Sequence, residues 1–366
     1  MRLTSPLILG AGPAGCAAAI VLARAGARPL LLDRSEQPGD ALCGGFLSWR
    51  SVEQLAALGV SPQGLGAHRV TGLRVFAGRQ QAQAALPAPS WGLSRRALDT
   101  ALRHKALAAG AELAVDTIRE VRGLVAHGSR DWQGDALLLA SGKHDVRGQP
   151  RPRTDADPAL GLRLRVTPSP ALRRELAGMI ELHLFDGGYA GIVLQENGTA
   201  NLCLAIRKSR LTRAGGNPRA LLENLARQHP RFAERLEPGW QAERIETIGA
   251  VPYGWIARET LPGLFRLGDQ AAVIPSLAGE GMGVAMASGA MAAQAWLVGG
   301  AAAAPAYQRQ LARTARHPLA VARTARALAE SPLAQPLALG LVRALPGLAS
   351  LLLAHTRIAA PPLSCA

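Results

Sequence analysis

The sequence predicts an α/β fold in which a parallel sheet is interrupted by an inserted antiparallel one and followed by a helical C-terminal region. Three observations predict it: a strand–glycine turn–helix–strand unit at the amino terminus, a second glycine turn entering a small-residue helix near residue 280, and alternating apolar strands between them.

The first unit spans residues 7–33. Leu7–Leu9 is a short apolar run, as expected of a strand buried on both faces. Gly10, Gly12 and Gly15 follow as GxGxxG, with Pro13 and Ala14 inside the turn. Ala17–Arg24 reads as a helix that Gly26 ends, and Leu30–Leu32 as a second buried strand closing on Asp33. Gly10 permits the tight turn, Gly12 lets a phosphate approach the backbone, and Gly15 lets helix and strand pack closely. The helix N-terminus then faces a pyrophosphate. Asp33 lies 33 − 15 = 18 residues past the last glycine, where a carboxylate holds ribose hydroxyls and disfavours a 2′-phosphate. The unit is Rossmann-like, and alone it leaves FAD and NAD open.

A strand at Leu264–Leu267 ends in Gly268-Asp269, and a loop with Pro275 leads to Gly279-Glu280-Gly281 and a helix from Met282. A helix N-terminus carries partial positive charge, suited to a cofactor that gains negative charge on reduction. With both motifs in this order, the chain resembles the glutathione-reductase-like FAD superfamily, in the branch of aromatic-ring hydroxylases and geranylgeranyl reductases. The resemblance implies non-covalent FAD held by Gly10, Gly12, Pro13, Ala14, Gly15, Asp33 and Arg34. It further implies Asp269 (after Gly268) on a ribityl hydroxyl, and the Gly279, Glu280, Gly281 and Met282 backbone at the flavin's pyrimidine edge, with the Glu280 side chain turned elsewhere.

Shorter matches support the same branch. Ser94–Asp99 resembles a family helix start whose arginine, here Arg95, lies near FAD; Ser94 also reads as a plain helix cap. Ala250–Gly254 resembles the Pro-Tyr-Gly segment of the reductases, and Leu42-Cys43-Gly44-Gly45 their Cys-Gly-Gly segment beside the flavin. Cys43 is thus a candidate proton donor, or a small buried thiol. One departure stands out. Hydroxylases carry Ala-Asp-Gly after a buried strand, where this chain has Ala140-Ser141-Gly142. Gly142 still makes the turn against FAD, but the nicotinamide-cofactor role of that motif loses its aspartate. NAD(P)H remains the expected electron donor. Lys143 and His144 read as surface residues.

The cofactor motifs assign 1–154 and 259–304 to a discontinuous FAD-binding domain. Residues 155–258 form an inserted substrate domain with strands at 161–167, 179–185, 191–195 and 200–206 and a helix at Pro218–Gln228, and 305–366 is a helical C-terminal region. Tyr189, Tyr253 and Trp255 are the candidate substrate residues. No charged anchor for a polar aromatic acid stands out, so a lipophilic small molecule is the expected substrate.

Composition narrows the classes. Charged residues are 18% and apolar residues 48%, which excludes disorder. Cys16, Cys43, Cys203 and Cys365 lack disulfide or zinc spacing, pointing to a reducing, cytoplasmic compartment. No metal site is expected, since no HExxH occurs. The net charge is +15, yet only Lys105, Lys143 and Lys208 are lysines, so 41 − 3 = 38 of the basic residues are arginines spread along the chain. Nucleic-acid binding would want a clustered stripe with interleaved aromatics; none is present. The apolar stretch 333–354 is broken by Pro336, Gly340, Arg343 and Pro346, and reads as amphipathic helices able to make a peripheral membrane contact.

Three functions compete: an FAD monooxygenase hydroxylating or epoxidising a lipophilic, aromatic or polyketide molecule; a flavin reductase of carbon–carbon double bonds with Cys43 as acid; and a non-catalytic FAD-binding redox protein. The commoner use of the fold tips the reading toward the monooxygenase.

Overall fold

The computed structural model describes residues 6–359. It opens on β1 (Leu7–Leu9), α1 (Pro13–Arg24) and β2 (Leu30–Asp33). Next come β3 (Phe46–Leu47), α2 (Trp49–Ala57), β4 (His68–Ala77), β5 (Gln80–Gly92), α3 (Arg95–Ala108) and β6 (Glu112–Val115). A meander of β7 (Glu120–Arg122), β8 (Val125–His127) and β9 (Asp131–Gln133) precedes β10 (Leu137–Leu139). The chain continues through β11 (Ala159–Val166), α4 (Pro170–Leu176), β12 (Gly178–Phe185), β13 (Gly188–Leu194), β14 (Ala200–Arg207), α5 (Lys208–Arg213), α6 (Pro218–Gln228) and α7 (Pro230–Ala233). Last are β15 (Glu246–Val251), β16 (Leu264–Arg266), α8 (Gly281–Gly299), α9 (Ala304–Glu330), α10 (Gln335–Ala344) and α11 (Pro346–His355).

Two sheets carry the molecule. The first has five parallel strands in the order β16-β10-β1-β2-β6, with Leu7 opposite both Leu137 and Leu30. Its central strands are leucine-rich because both faces are covered, one by helices α1, α3 and α8 and the other by the β7–β9 meander. Helix α1 lies against α8, and the approach is close because both are built from small residues: a Cβ on Gly289 would sit 2.2 Å from the Ala14 carbonyl oxygen. An apolar stretch beginning in α8 is long enough to cross a bilayer, but most of it is buried inside the fold, as a core helix would be.

The second sheet has eight strands, ordered β15-β11-β14-β13-β12-β4-β5-β3. The alternating runs read from the sequence appear as β11 to β14, and the helix at Pro218–Gln228 as α6. The sheet is not confined to 155–258, however. Strands β3 to β5, inside the span assigned to FAD binding, complete it, and β4 pairs in parallel with β12, Leu73 opposite Ile180 and Val75 opposite Leu182. The cause is burial: Val70, Leu73 and Val75 share one apolar cluster with Leu184, Tyr189 and Val193, so β4 pairs with the open edge of β12 and extends the apolar face that the inserted strands begin. Helices α10 and α11 pack over β5.

Candidate active site

A cavity of about 940 Å3 runs between the two sheets, at the carboxyl ends of the parallel strands. That is the upper end of the ~300–1,000 Å3 range typical of ligand sites. Its near end is built by the β1–α1 turn. Gly10 adopts φ +108°, and a Cβ there would lie 2.4 Å from the Ala140 carbonyl oxygen; on Gly15 a Cβ would lie 1.9 Å from that of Gly10. Both positions therefore require glycine. The N-terminus of α1 begins at Gly12, with no side chain capping it, and faces the cavity. Asp33 accepts the Ala11 N–H at 2.9 Å and the Ser35 N–H at 3.1 Å. A carboxylate offers about four acceptor sites, so two remain for hydroxyls.

Arginines surround this end. Arg95 makes a two-pronged bond to Asp99, at 2.8 and 2.6 Å, and reaches within 3.4 Å of the space beside Gly12. Burial pushes the Arg95 pKa down, but Asp99 outweighs it and the net shift is upward, so the guanidinium stays charged. Eight residues beyond Arg95 on α3, Arg103 is buried 3.4 Å from Asp33 and holds the Ser35 and Glu36 carbonyls at 2.7 and 2.6 Å.

The middle of the cavity is lined by Gly44, Gly142, Asp269, Gly279, Gly281 and Met282. Gly44, Gly142 and Gly281 have open space where a Cβ would be. The N-terminus of α8 is also uncapped by any side chain. The Glu280 side chain instead points into the core, accepting from Ser48 Oγ at 2.8 Å and from Arg357 at 2.6 Å. Burial pushes the Glu280 carboxyl up, and Arg357 and Ser48 pull it down.

The loop carrying Cys43 is tied from one side. Six consecutive carbonyls, Asp40 to Gly45, are each held: Arg163 binds those of Asp40 and Ala41 at 2.7 and 2.9 Å. Lys143 Nζ binds that of Leu42 at 2.7 Å. Asn201 binds those of Cys43 and Gly44 at 3.0 and 2.8 Å, and the Leu93 N–H that of Gly45 at 2.8 Å. Lys143 is half-buried. Burial lowers its pKa, but its surroundings, Cys43 foremost and then Asp269, Tyr253 and Cys203, raise it further, so it stays an ammonium. Burial pushes the Cys203 thiol up to about 12, with Lys143 pulling the other way.

The far end is apolar, lined by Leu73, Leu86, Ile180, Leu182, Val251, Leu277 and Leu353. Its polar feature is a hydroxyl relay. Tyr189 and Tyr253 both bond to Ser276 Oγ, at 2.5 and 2.7 Å. Burial raises both phenol pKa values, so both hydroxyls stay neutral.

The structure thus brings to one cavity Gly10, Gly12, Pro13, Ala14, Asp33, Arg34, Cys43, Gly44, Arg95, Gly142, Gly268, Asp269, Gly279, Gly281, Met282, Tyr189 and Tyr253. Three expected residues stand elsewhere. Gly15 serves the helix–strand packing and not the cavity wall, and Glu280 contributes a buried ion pair. Trp255 does not line the cavity; its backbone pairs with Val273, which keeps it on the far side of the Pro252–Gly254 turn. Lys143, expected on the surface, lines the cavity because the turn from Gly142 folds it inward under the Cys43 loop. His144 is exposed. Reading the sequence also missed Arg103, Asn201, Ser276 and Arg357. For Arg103 a signal existed: Arg95, Asp99 and Arg103 recur every four residues on α3 and share a face.

FAD fits these residues. The glycines leave a cradle bounded by two uncapped helix starts, Asp33 keeps acceptors for ribose hydroxyls, and buried arginines face the phosphate turn. Residues 4–144 match the family of FAD binding domains. The protein is an FAD-dependent oxidoreductase. A menaquinone reductase of Mycolicibacterium smegmatis is 26% identical over 317 residues, covering 80% of this chain and 76% of that protein. Digeranylgeranylglycerophospholipid reductase 2 of Methanopyrus kandleri is 25% identical, covering 79% and 75%. The solved flavin-dependent brominase Bmp2 has a TM-score of 0.78 at 16% identity, over 99% of this chain and 96% of that one, which shows the shared fold of this flavoprotein.

Proposed function

We propose that this flavoprotein reduces carbon–carbon double bonds in the isoprenoid chain of a lipophilic substrate. One observation carries the reading: Cys43 stands on a tied loop beside the Lys143 ammonium, at the junction of the flavin cradle and an apolar chamber. The curated relatives support it, since menaquinone and digeranylgeranylglycerophospholipid have little in common besides long isoprenoid chains.

Bound FAD supplies the hydride, which no side chain can supply. Saturating an alkene also needs a proton at the second carbon, and this chain's residues provide it. Cys43 holds that proton on Sγ, where the Gly45 N–H meets the sulfur at 3.5 Å. As the new C–H bond forms and the S–H bond breaks, Lys143 faces the thiolate left behind, which then recovers a proton from water at the mouth. Asn201 and Arg163 fix the loop, so the thiol is placed before substrate arrives. The leucine and isoleucine walls admit a hydrocarbon chain and exclude water. NAD(P)H is the proposed electron donor, which anaerobic titration with NADH and NADPH tests through flavin bleaching.

The test uses holoprotein reduced without oxygen and mixed with menaquinone carrying an unsaturated side chain. Mass spectrometry should show a product richer by two hydrogens per reduced bond. Cys43→Ala should slow turnover at least ~100-fold, the lower range for a lost positioned acid, with flavin reduction unchanged and Cys43→Ser partly active. A product that gains oxygen, formed only with O2 present, would make the protein a monooxygenase.

A further inference from the structure

Among the described residues, the outer face of the C-terminal helices has no partner. Twelve large apolar side chains are exposed among the described residues, and seven of them lie between 328 and 352: Leu328, Leu333, Leu337, Leu341, Leu345, Leu351 and Leu352. Leu337 and Leu341 lie one turn apart on α10, with Leu333 in the turn just before the helix and Leu345 just after it. Leu333 is 89% and Leu337 77% exposed, while Leu339, on the opposite side, is buried against the sheet. Helix α10 is therefore apolar on two faces, only one of which the fold uses. Clustered exposed leucines mark an interaction surface.

Charge identifies the occupant. Helix α9, which α10 and α11 touch, exposes Arg309, Arg313, Arg316 and Arg323, at helical offsets 0, 4, 7 and 14. From residue 304 to 358 the only acid is Glu330, and it is buried and paired with Arg326. An apolar patch next to an unneutralised cationic face is the pattern of a surface that rests on an anionic bilayer: leucines enter the acyl boundary and arginines meet the headgroups. The position adds to this. Helices α10 and α11 are tied to β5 by Arg343 to the Gln81 carbonyl at 2.7 Å and by Ser350 to that of Ala85 at 2.8 Å, and Leu353 of α11 lines the cavity.

We propose that α9 to α11 dock this protein peripherally on anionic lipid, with the exposed leucines on and flanking α10 as the inserted element. The proposal goes beyond the chemistry assigned above and stands or falls apart from it, because its readout involves no turnover.

The test is flotation of the flavin-loaded protein with vesicles of phosphatidylcholine alone and of phosphatidylcholine with phosphatidylglycerol. The flavin colour should float with the anionic vesicles, and high salt should weaken the association. Leu333→Glu with Leu337→Glu should cut binding at least tenfold, with flavin content and melting temperature retained because both side chains are exposed. Arg313→Glu with Arg316→Glu should remove the preference for anionic lipid. Failure of the parent to float, or equal flotation of the leucine variant, would overturn the proposal. So would a dimer that the leucine variant dissociates and that binds no vesicles, which would make the face an interface between two copies.

Discussion

The two ends of the cavity are built by different means. The cofactor end is mostly backbone, glycine turns and uncapped helix starts at 10–14, 142 and 268–282, with Asp33, Asp269 and the α3 arginines beside them. The substrate end is side chain: Cys43, Lys143, Tyr189, Asn201, Tyr253 and Ser276 arrive from six separate segments. Backbone geometry constrains which residue types fit and how they are spaced. Convergent side chains constrain neither locally. The cofactor end is therefore the general part of the molecule, and the substrate end is where one flavoprotein differs from another.

Glu280 gives the sharpest way to break the comparison, because it sits in the cofactor turn yet works as a side chain. Glu280→Gln leaves Arg357 buried without its counter-charge, and breaking one partner of such a pair costs ~3–5 kcal/mol. Denaturant unfolding should show this loss, while FAD per folded molecule stays at the parent value. A stability change under ~1 kcal/mol would mean the pair is not formed in solution, and loss of FAD with stability retained would place the side chain on the flavin.

Asp33 tests the backbone end itself. If Asp33 holds the ribose as proposed, Asp33→Ala removes charge-assisted bonds worth ~1.5–3 kcal/mol, and FAD should bind roughly ten- to hundredfold more weakly. Fluorescence of released FAD on dilution reads this directly. Equal retention in both proteins would show that the phosphate turn and arginines suffice.

The smallest expected effect lies behind the substrate sheet. Burial alone pushes Glu181 up, but its bonds with His183 and Arg235 outweigh burial and hold the carboxyl at about 2. His183, stacked on Phe76 at 4.6 Å, is pushed below its usual 6.5 by burial. Both groups have a lower pKa folded than unfolded, so both stabilise at neutral pH and lose that contribution as pH falls. Stability should begin to fall below about 6.5, as the unfolded chain takes up the proton that folded His183 resists, and fall further as Glu181 is protonated toward 2. His183→Phe should flatten the first part of the melting-temperature profile and, because it removes one of the bonds that hold Glu181 down, shrink the acid part as well. An unchanged profile would show that His183 titrates freely in the folded protein.

What the sequence made legible follows the same division. Gly10, Gly15 and Asp33 could be placed because steric limits and strand periodicity leave few alternatives. The inserted strands could be placed because their side chains alternate. The recruitment of β4 and β5 into the second sheet could not, since a strand's sequence does not say which of two sheets will cover it. Lys143 was read as a surface lysine because a charge after a turn is usually solvated, and only the fold shows the carbonyl of Leu42 above it. Trp255 was misread for the converse reason: proximity to Tyr253 in sequence says nothing about which side of a turn a ring takes.

The Arg357–Glu280 pair also sets an order of events during synthesis. Its members are 77 residues apart, and Arg357 additionally binds the Ala278 carbonyl at 2.8 Å within the same turn. The β-α-β start can fold soon after it leaves the ribosome. The turn before α8 cannot settle then, because its carboxylate would be buried with no cation to meet it. Residue 357 must emerge first. A nascent chain stalled between 280 and 357 would hold a finished nucleotide turn and an unfinished flavin seat.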